Sequence, residues 1–187
     1  MVRYVNGPTP GSAADLQDDA DPEQVARTIL LRRLTAAPRA RAELHEDLRA
    51  RGIPDDVADR VLDRFVEVGL VDDEQYARMW VESRQRSRGT ARSLLRQELR
   101  QKGVADDIVA GALDQVDEAA ESERGAELVR RRIPALARYD APTRTRRLVS
   151  MLVRRGYRQG QAFSIVSAVL AEAGMSGVDD DAGLQER

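Results

Sequence analysis

The side chains in this sequence best suited to chemistry are arginines, and the chemistry they suit is recognition. Arg84, Arg86 and Arg88 fall on alternate residues, and Arg92, Arg96 and Arg100 then recur at four-residue spacing. A planar guanidinium makes multidentate contacts with carboxylates and phosphates, so helices carrying such rows present anion-binding faces. A second set follows in residues 121–171, where eleven arginines stand against four acids. The candidate partner-binding residues are Arg84, Arg86, Arg88, Arg92, Arg96, Arg100, Arg130, Arg131, Arg147 and Arg154. The competing reading is a solvated face with local ion pairs, for example Glu98 with the arginines around it.

Catalytic chemistry has little to work with. His45 is the only imidazole and lies beside Leu44 on an Arg/Glu-rich stretch, where a surface helical histidine is expected. The chain has no cysteine, which excludes a disulfide framework and a thiolate metal site. It has no phosphate-binding glycine loop, H-E-x-x-H pair or nucleophile elbow. The carboxylates Asp72, Asp73 and Glu74 read as a helix cap and dipole complement, and Asp179 to Asp181 as a solvated tail. No catalytic residue, metal or cofactor is expected, and the chain is not expected to be an enzyme.

The net charge of −2 is unevenly spread. Residues 1–21 hold one arginine against four aspartates, and residues 172–187 one arginine against five acids, which leaves 22–171 at +5. No apolar run approaches bilayer length, and the N-terminus lacks the continuous apolar core of a signal peptide, so a cytoplasmic protein is expected. Residues 1–21 and 174–187 show no apolar period and are expected to be disordered acidic tails.

The elements that position the arginines are helices, and they repeat. Asp21-Pro22 predicts a helix start, with Val25, Ile29 and Leu30 on its inner face. Leu44 and Leu48 line a second helix ending at Gly52, and Val57, Val61, Leu62 and Phe65 a third. Aligned on Gly52, Gly103 and Gly156, the same pattern recurs after 51 and 53 residues. Eight positions upstream lie Leu44, Leu95 and Leu148; four upstream lie Leu48, Leu99 and Leu152. Twenty-seven upstream lie Val25, Tyr76 and Val129; twenty-three upstream lie Ile29, Trp80 and Ile133. The fold class predicted is all-α: three tandem three-helix repeats, residues 22–69, 70–119 and 120–173, stacked into an elongated body. Tyr76, Trp80, Leu95, Leu99 and Gly103 are its structural residues in the middle repeat, with Trp80 expected mostly buried against Tyr76. Pro134 is expected to kink or break the first helix of the third repeat.

The middle repeat opens G-L-V-D-D-E-Q-Y-A-R-M-W-V-E-S-R at residues 69–84, with Asp72 as N-cap and Gln75 as its partner in a capping box. The order G-L-V-D-D-x-x-Y-A-x-x-W-V-x-x-R, followed by a glycine and a leucine-spaced helix, resembles the central repeat of the RecX family, bacterial regulators of the RecA recombinase. With the flanking repeats the resemblance extends over roughly residues 22–172. It implies a curved, all-helical monomer that lies in the groove of a RecA–DNA filament. It also implies inhibition of recombinase ATPase and strand exchange and obstruction of filament growth, a role in recombination, DNA repair and the SOS response. The residues alone leave two alternatives: a nucleic-acid-binding helical module acting directly on DNA, and a helical-repeat scaffold for another protein. The modest body charge argues against nonspecific DNA binding as the main role, though weak direct DNA contact is compatible with it.

Overall fold

Nine helices and no strand occur among the described residues of this computed structural model, which describes residues 21–175. The expectations for the two tails lie outside that range. The first repeat holds α1 (Pro22–Ala36), α2 (Arg41–Arg49) and α3 (Asp55–Glu67). The second holds α4 (Asp73–Arg88), α5 (Arg92–Gln101) and α6 (Asp106–Asp114), and the third α7 (Glu118–Leu136), α8 (Ala141–Val153) and α9 (Gln159–Glu172).

Local chemistry accounts for the starts and stops. Asp21 accepts the N–H of Glu23 at 3.1 Å, with Pro22 in the first turn of α1. Paired aspartates, Asp55 with Asp56 and Asp106 with Asp107, open α3 and α6 against the positive helix end. Gly52, Gly103 and Gly156 have φ of +78°, +75° and +91°, and each is followed by a residue whose N–H reaches back to a core leucine. These are Ile53 to Leu48, Val104 to Leu99 and Tyr157 to Leu152, at 3.1–3.2 Å: one C-terminal cap made three times. The aligned leucines Leu44, Leu48, Leu95, Leu99, Leu148 and Leu152 are all fully buried.

Packing divides the chain into two compact units, one ending at Asp73 and one starting at Glu74. In the first, α1–α3 close over Ala26, Leu30, Leu44, Leu48, Leu62 and Phe65. Val25 is a correction to the sequence reading: it is 37% exposed, while Ala26 is fully buried. The inner arc of α1 runs through Ala26 and Leu30, and Val25 sits about 100° away from Ala26 around the helix. In the second unit α7–α9 pack around Val129, Leu136, Leu148, Leu152, Tyr157 and Val166, and Ala91 from the α4–α5 turn joins that core. Pro134 does not break its helix. It lies within the last turn of α7, which runs through it to Leu136; with so little helix beyond the proline, there is almost nothing to break.

Two of the helices without a capping side chain of their own take one from a later helix. Ala40 and Ala91 hold the N-cap positions of α2 and α5. Asp73 accepts the Arg41 N–H at 2.8 Å, and Glu121 accepts the Arg92 N–H at 2.7 Å. Burial raises the Asp73 pKa above the ordinary carboxylate value, against the lowering effects of the Arg41 N–H and charge. A raised folded pKa means that ionised Asp73 costs stability: the favourable contribution is present in acid and is lost as pH rises through the raised value. Asp73→Asn keeps the acceptor and should remove this loss, flattening the decline in stability that urea melts show as pH rises above the ordinary carboxylate range. Asp73→Ala removes the acceptor and should cost about 1 kcal/mol, the usual value of an N-cap.

Candidate functional site

The site is built where two turns meet in the second unit. α4 ends at Arg88, and Gly89, with a φ of +60°, turns the chain into Thr90 and Ala91. Against this turn lies the turn after α8. The Ala91 N–H donates to the Arg155 carbonyl at 2.8 Å, and Ser93 Oγ donates to the Gly156 carbonyl. Arg155 itself is a strut: its Nε donates to the Arg88 carbonyl at 3.1 Å and a terminal nitrogen donates to the Met151 carbonyl at 3.2 Å, so it caps the ends of two helices. Beneath them the buried Tyr157 hydroxyl lies 3.3 Å from the Gly89 carbonyl and 3.2 Å from the Glu121 carbonyl. Burial, with the Glu121 carboxylate adding to it, pushes the Tyr157 pKa up to about 12, so the hydroxyl keeps the proton it donates.

This junction leaves two adjoining concavities. The larger, about 740 Å³, is walled by Arg86, Arg88, Arg124, Arg131, Arg154 and Arg155, with Leu94 and Leu128 as apolar lining. The smaller, about 510 Å³, has Arg132, Arg146 and Arg147 beside Leu136 and Met151, and shares Arg154 and Arg155 with the first. Arg88, Arg124 and Arg154 pair with no carboxylate among the described residues. A basic groove with unengaged guanidinium groups is therefore present, and guanidinium groups are suited to holding anions.

Known proteins similar to this chain include several that are named RecX. Models of RecX match here as its first three-helix domain over residues 26–65 and its second over residues 72–113. Regulatory protein RecX of Thermobifida fusca is 47% identical over 173 residues, covering 91% of this chain and 90% of that one. That of Mycolicibacterium smegmatis is 47% identical over 160 residues, covering 83% and 85%. The chain belongs to the RecX family. A crystal structure of RecX from Lactobacillus salivarius shares the fold, with a TM-score of 0.70 at 19% identity over 84% of this chain and 99% of that one.

In this RecX chain the sequence-predicted arginines go to different places. Arg86, Arg88, Arg131, Arg147 and Arg154 line the groove. Of these, Arg86 pairs with Glu82, Arg131 lies 3.9 Å from Glu127, and Arg147 stacks 4.2 Å from the Tyr139 ring centre. Arg84 is turned inward, 3.1 Å from Glu98 and 4.3 Å from the Trp80 ring centre. Arg92 donates to the Val116 carbonyl at 3.0 Å and approaches Asp114 at 3.6 Å. Arg100 pairs with Asp106 at 2.7 Å, and Arg130 with Glu123 at 2.8 Å and Glu172 at 3.2 Å. Arg92 and Arg96 line a separate concavity with Arg158, Glu118 and Glu121. The sequence reading did not select Leu94, Leu128, Arg124 or Arg155 for this site. The excess of arginine in residues 121–171 was the one signal for the last two.

Trp80 lies against Tyr76, with ring centres 5.9 Å apart. It is half-buried: its indole N–H donates to Glu98 at 2.8 Å, and Arg84 and Lys102 lie over its ring at 4.3 and 4.6 Å. The two cations cover part of a ring that is not fully buried. Trp80→Ala should therefore cost about 2 kcal/mol in thermal melts, below the roughly 3–5 kcal/mol of a fully buried aromatic. It should also free Arg84, which Trp80→Phe should do less.

Proposed function

We propose that this chain is a negative regulator of the RecA recombinase. It binds the recombinase filament on DNA as a monomer, in the cytoplasm, and inhibits ATP hydrolysis, strand exchange and filament growth. Through these it acts in recombination, DNA repair and the SOS response. The observation that carries the reading is the basic groove, which offers Arg88, Arg131, Arg147 and Arg154 on two helical repeats in a chain whose relatives are named regulatory proteins. Guanidinium groups fixed on helices suit docking to an acidic protein surface, with weak phosphate contact as an accompaniment. The lining is mainly arginine, with Leu94, Leu128, hydroxyls and the carboxylates Glu98 and Glu127, a composition that suits recognition.

The test is a titration into recombinase assembled on single-stranded DNA, following ATP hydrolysis. The rate should fall as the protein is added, and binding to the filament should exceed binding to bare DNA. The same basic groove also favours a second reading, a DNA-binding module. That reading expects comparable affinity for bare DNA, falling linearly with the logarithm of salt concentration. Tight binding to bare DNA without any change in ATP hydrolysis would exclude the regulator reading.

A further inference from the structure

The groove is not uniformly basic, and its composition discriminates among anions. Leu94 and Leu128 are half-buried apolar side chains in the larger concavity, and Met151 in the smaller, where Leu136 is buried. No aromatic ring is among the residues lining either one. Proteins that hold single-stranded nucleic acid combine a cationic groove with aromatic platforms on which bases stack; this groove has the first and lacks the second. Two carboxylates, Glu98 and Glu127, also interrupt the arginines of the larger concavity. Glu98 is already held by Arg84 and the Trp80 indole N–H, so the exposed carboxylate is Glu127. A polypeptide can set a neutral amide or aliphatic group beside it, whereas a continuous row of phosphates meets it as a like charge. With cavity volumes of about 740 and 510 Å³, each concavity is of a size that accepts side chains.

We propose that the paired concavities bind an acidic polypeptide segment that carries aliphatic side chains. Its carboxylates pair with Arg88, Arg124 and Arg154, and its aliphatic groups sit on Leu94 and Leu128 in one concavity and on Met151 in the other. Fork-shaped guanidinium groups take carboxylates in two parallel bonds, which fixes the segment's register. The inference rests on the regulator reading only for the identity of the protein that carries the segment, the recombinase filament.

The experiment uses the full chain and three fluorescent probes in anisotropy titrations at physiological salt. One is a short peptide alternating aspartate pairs with leucine. The second is the same peptide with serine for leucine, and the third an oligodeoxythymidine of equal formal charge. The leucine peptide should bind at least about tenfold more tightly than either of the others, a difference of roughly 1.4 kcal/mol. Arg154→Glu and Arg124→Glu should each weaken it by about tenfold or more at unchanged helicity. Equal binding of the serine peptide, tighter binding of the oligonucleotide, or no binding of the leucine peptide would each overturn the proposal. Recombinase ATPase measured alongside keeps the two readings apart. Leucine-selective binding with no effect on the ATPase sinks the regulator reading alone, and ATPase inhibition with no leucine selectivity sinks this inference alone.

Discussion

The double variant Arg88→Glu/Arg154→Glu should lose at least about a hundredfold in inhibitory potency toward recombinase ATPase while remaining folded. Both side chains line the groove, both are exposed, and neither pairs with a carboxylate among the described residues. Reversal therefore breaks no ion pair within the fold. Arg154→Glu should change stability by about 0.5 kcal/mol or less. Arg88→Glu should cost somewhat more, about 0.5–1 kcal/mol, because it puts a negative charge in the last turn of α4, at the negative end of the helix dipole. At an interface the effect is larger: a cation that met an acidic group becomes a repulsion, and truncating one partner of a buried charge pair alone costs about 2–5 kcal/mol. Arg100→Glu is the control. Arg100 pairs with Asp106 and does not line the groove, so its reversal should leave inhibition within about twofold, with little change in melting because the pair is solvent-exposed. ATP hydrolysis and thermal melting on the same preparations read both quantities. Full inhibition by the double variant would place the partner surface elsewhere, with the concavity of Arg92, Arg96 and Arg158 as the next candidate.

Gly156→Ala should destabilise the protein by on the order of 3–5 kcal/mol, whereas Gly52→Ala should cost only about 1–2 kcal/mol. The two glycines occupy the same position in the same cap, and both have φ in the left-handed region, +91° and +78°. A Cβ in that conformation meets the backbone's own carbonyl, and this local cost is common to both. Their surroundings differ. Around Gly52 nothing lies within 4 Å of an added Cβ. At Gly156 the Cβ would come 2.5 Å from the Leu94 Cβ and 2.9 Å from the Leu94 backbone nitrogen. Those atoms belong to α5 itself, so no rotamer change relieves the overlap, and the α8–α9 turn must move away from the α4–α5 turn. Overpacking of this kind adds about 1–3 kcal/mol to the conformational cost. Against a total stability of about 5–15 kcal/mol, the loss is a large fraction. It should also open the groove, because Arg155 and Tyr157 flank Gly156 and make its hydrogen bonds. Urea denaturation of the two variants side by side measures the difference, and equal costs would mean that the close approach of the turns does not hold in solution.

What the sequence by itself determined is local and periodic. Helix starts at Asp21-Pro22 and at the aspartate pairs, stops at Gly52, Gly103 and Gly156, and the six buried leucines all follow from side chains within a few residues of one another. A cap, a dipole and an apolar stripe need no distant partner, so their repetition at about fifty residues could be read directly. The same logic placed Val25 wrongly. Column alignment with Tyr76 and Val129 assumes equal rotation of the first helix in every repeat, and α1 turns Ala26 inward instead.

Only the tertiary structure decided which arginines are available. Arg84 and Arg88 stand four residues apart on one helix, alike in sequence. Yet Arg84 is held by Trp80 and Glu98, and Arg88 opens into the groove. Arg92 is turned to Asp114 and Val116, while Arg154, from a helix far along the chain, completes the wall beside Arg88. The reason is reach. A guanidinium stands several bonds from its backbone, and its partner is whichever carboxylate, carbonyl or ring the packing of other helices brings within a few ångströms. The docking of the α4–α5 turn on the α8–α9 turn sets that neighbourhood. The space beside Gly156 that permits it, unlike the glycine itself, is a property of two segments more than sixty residues apart.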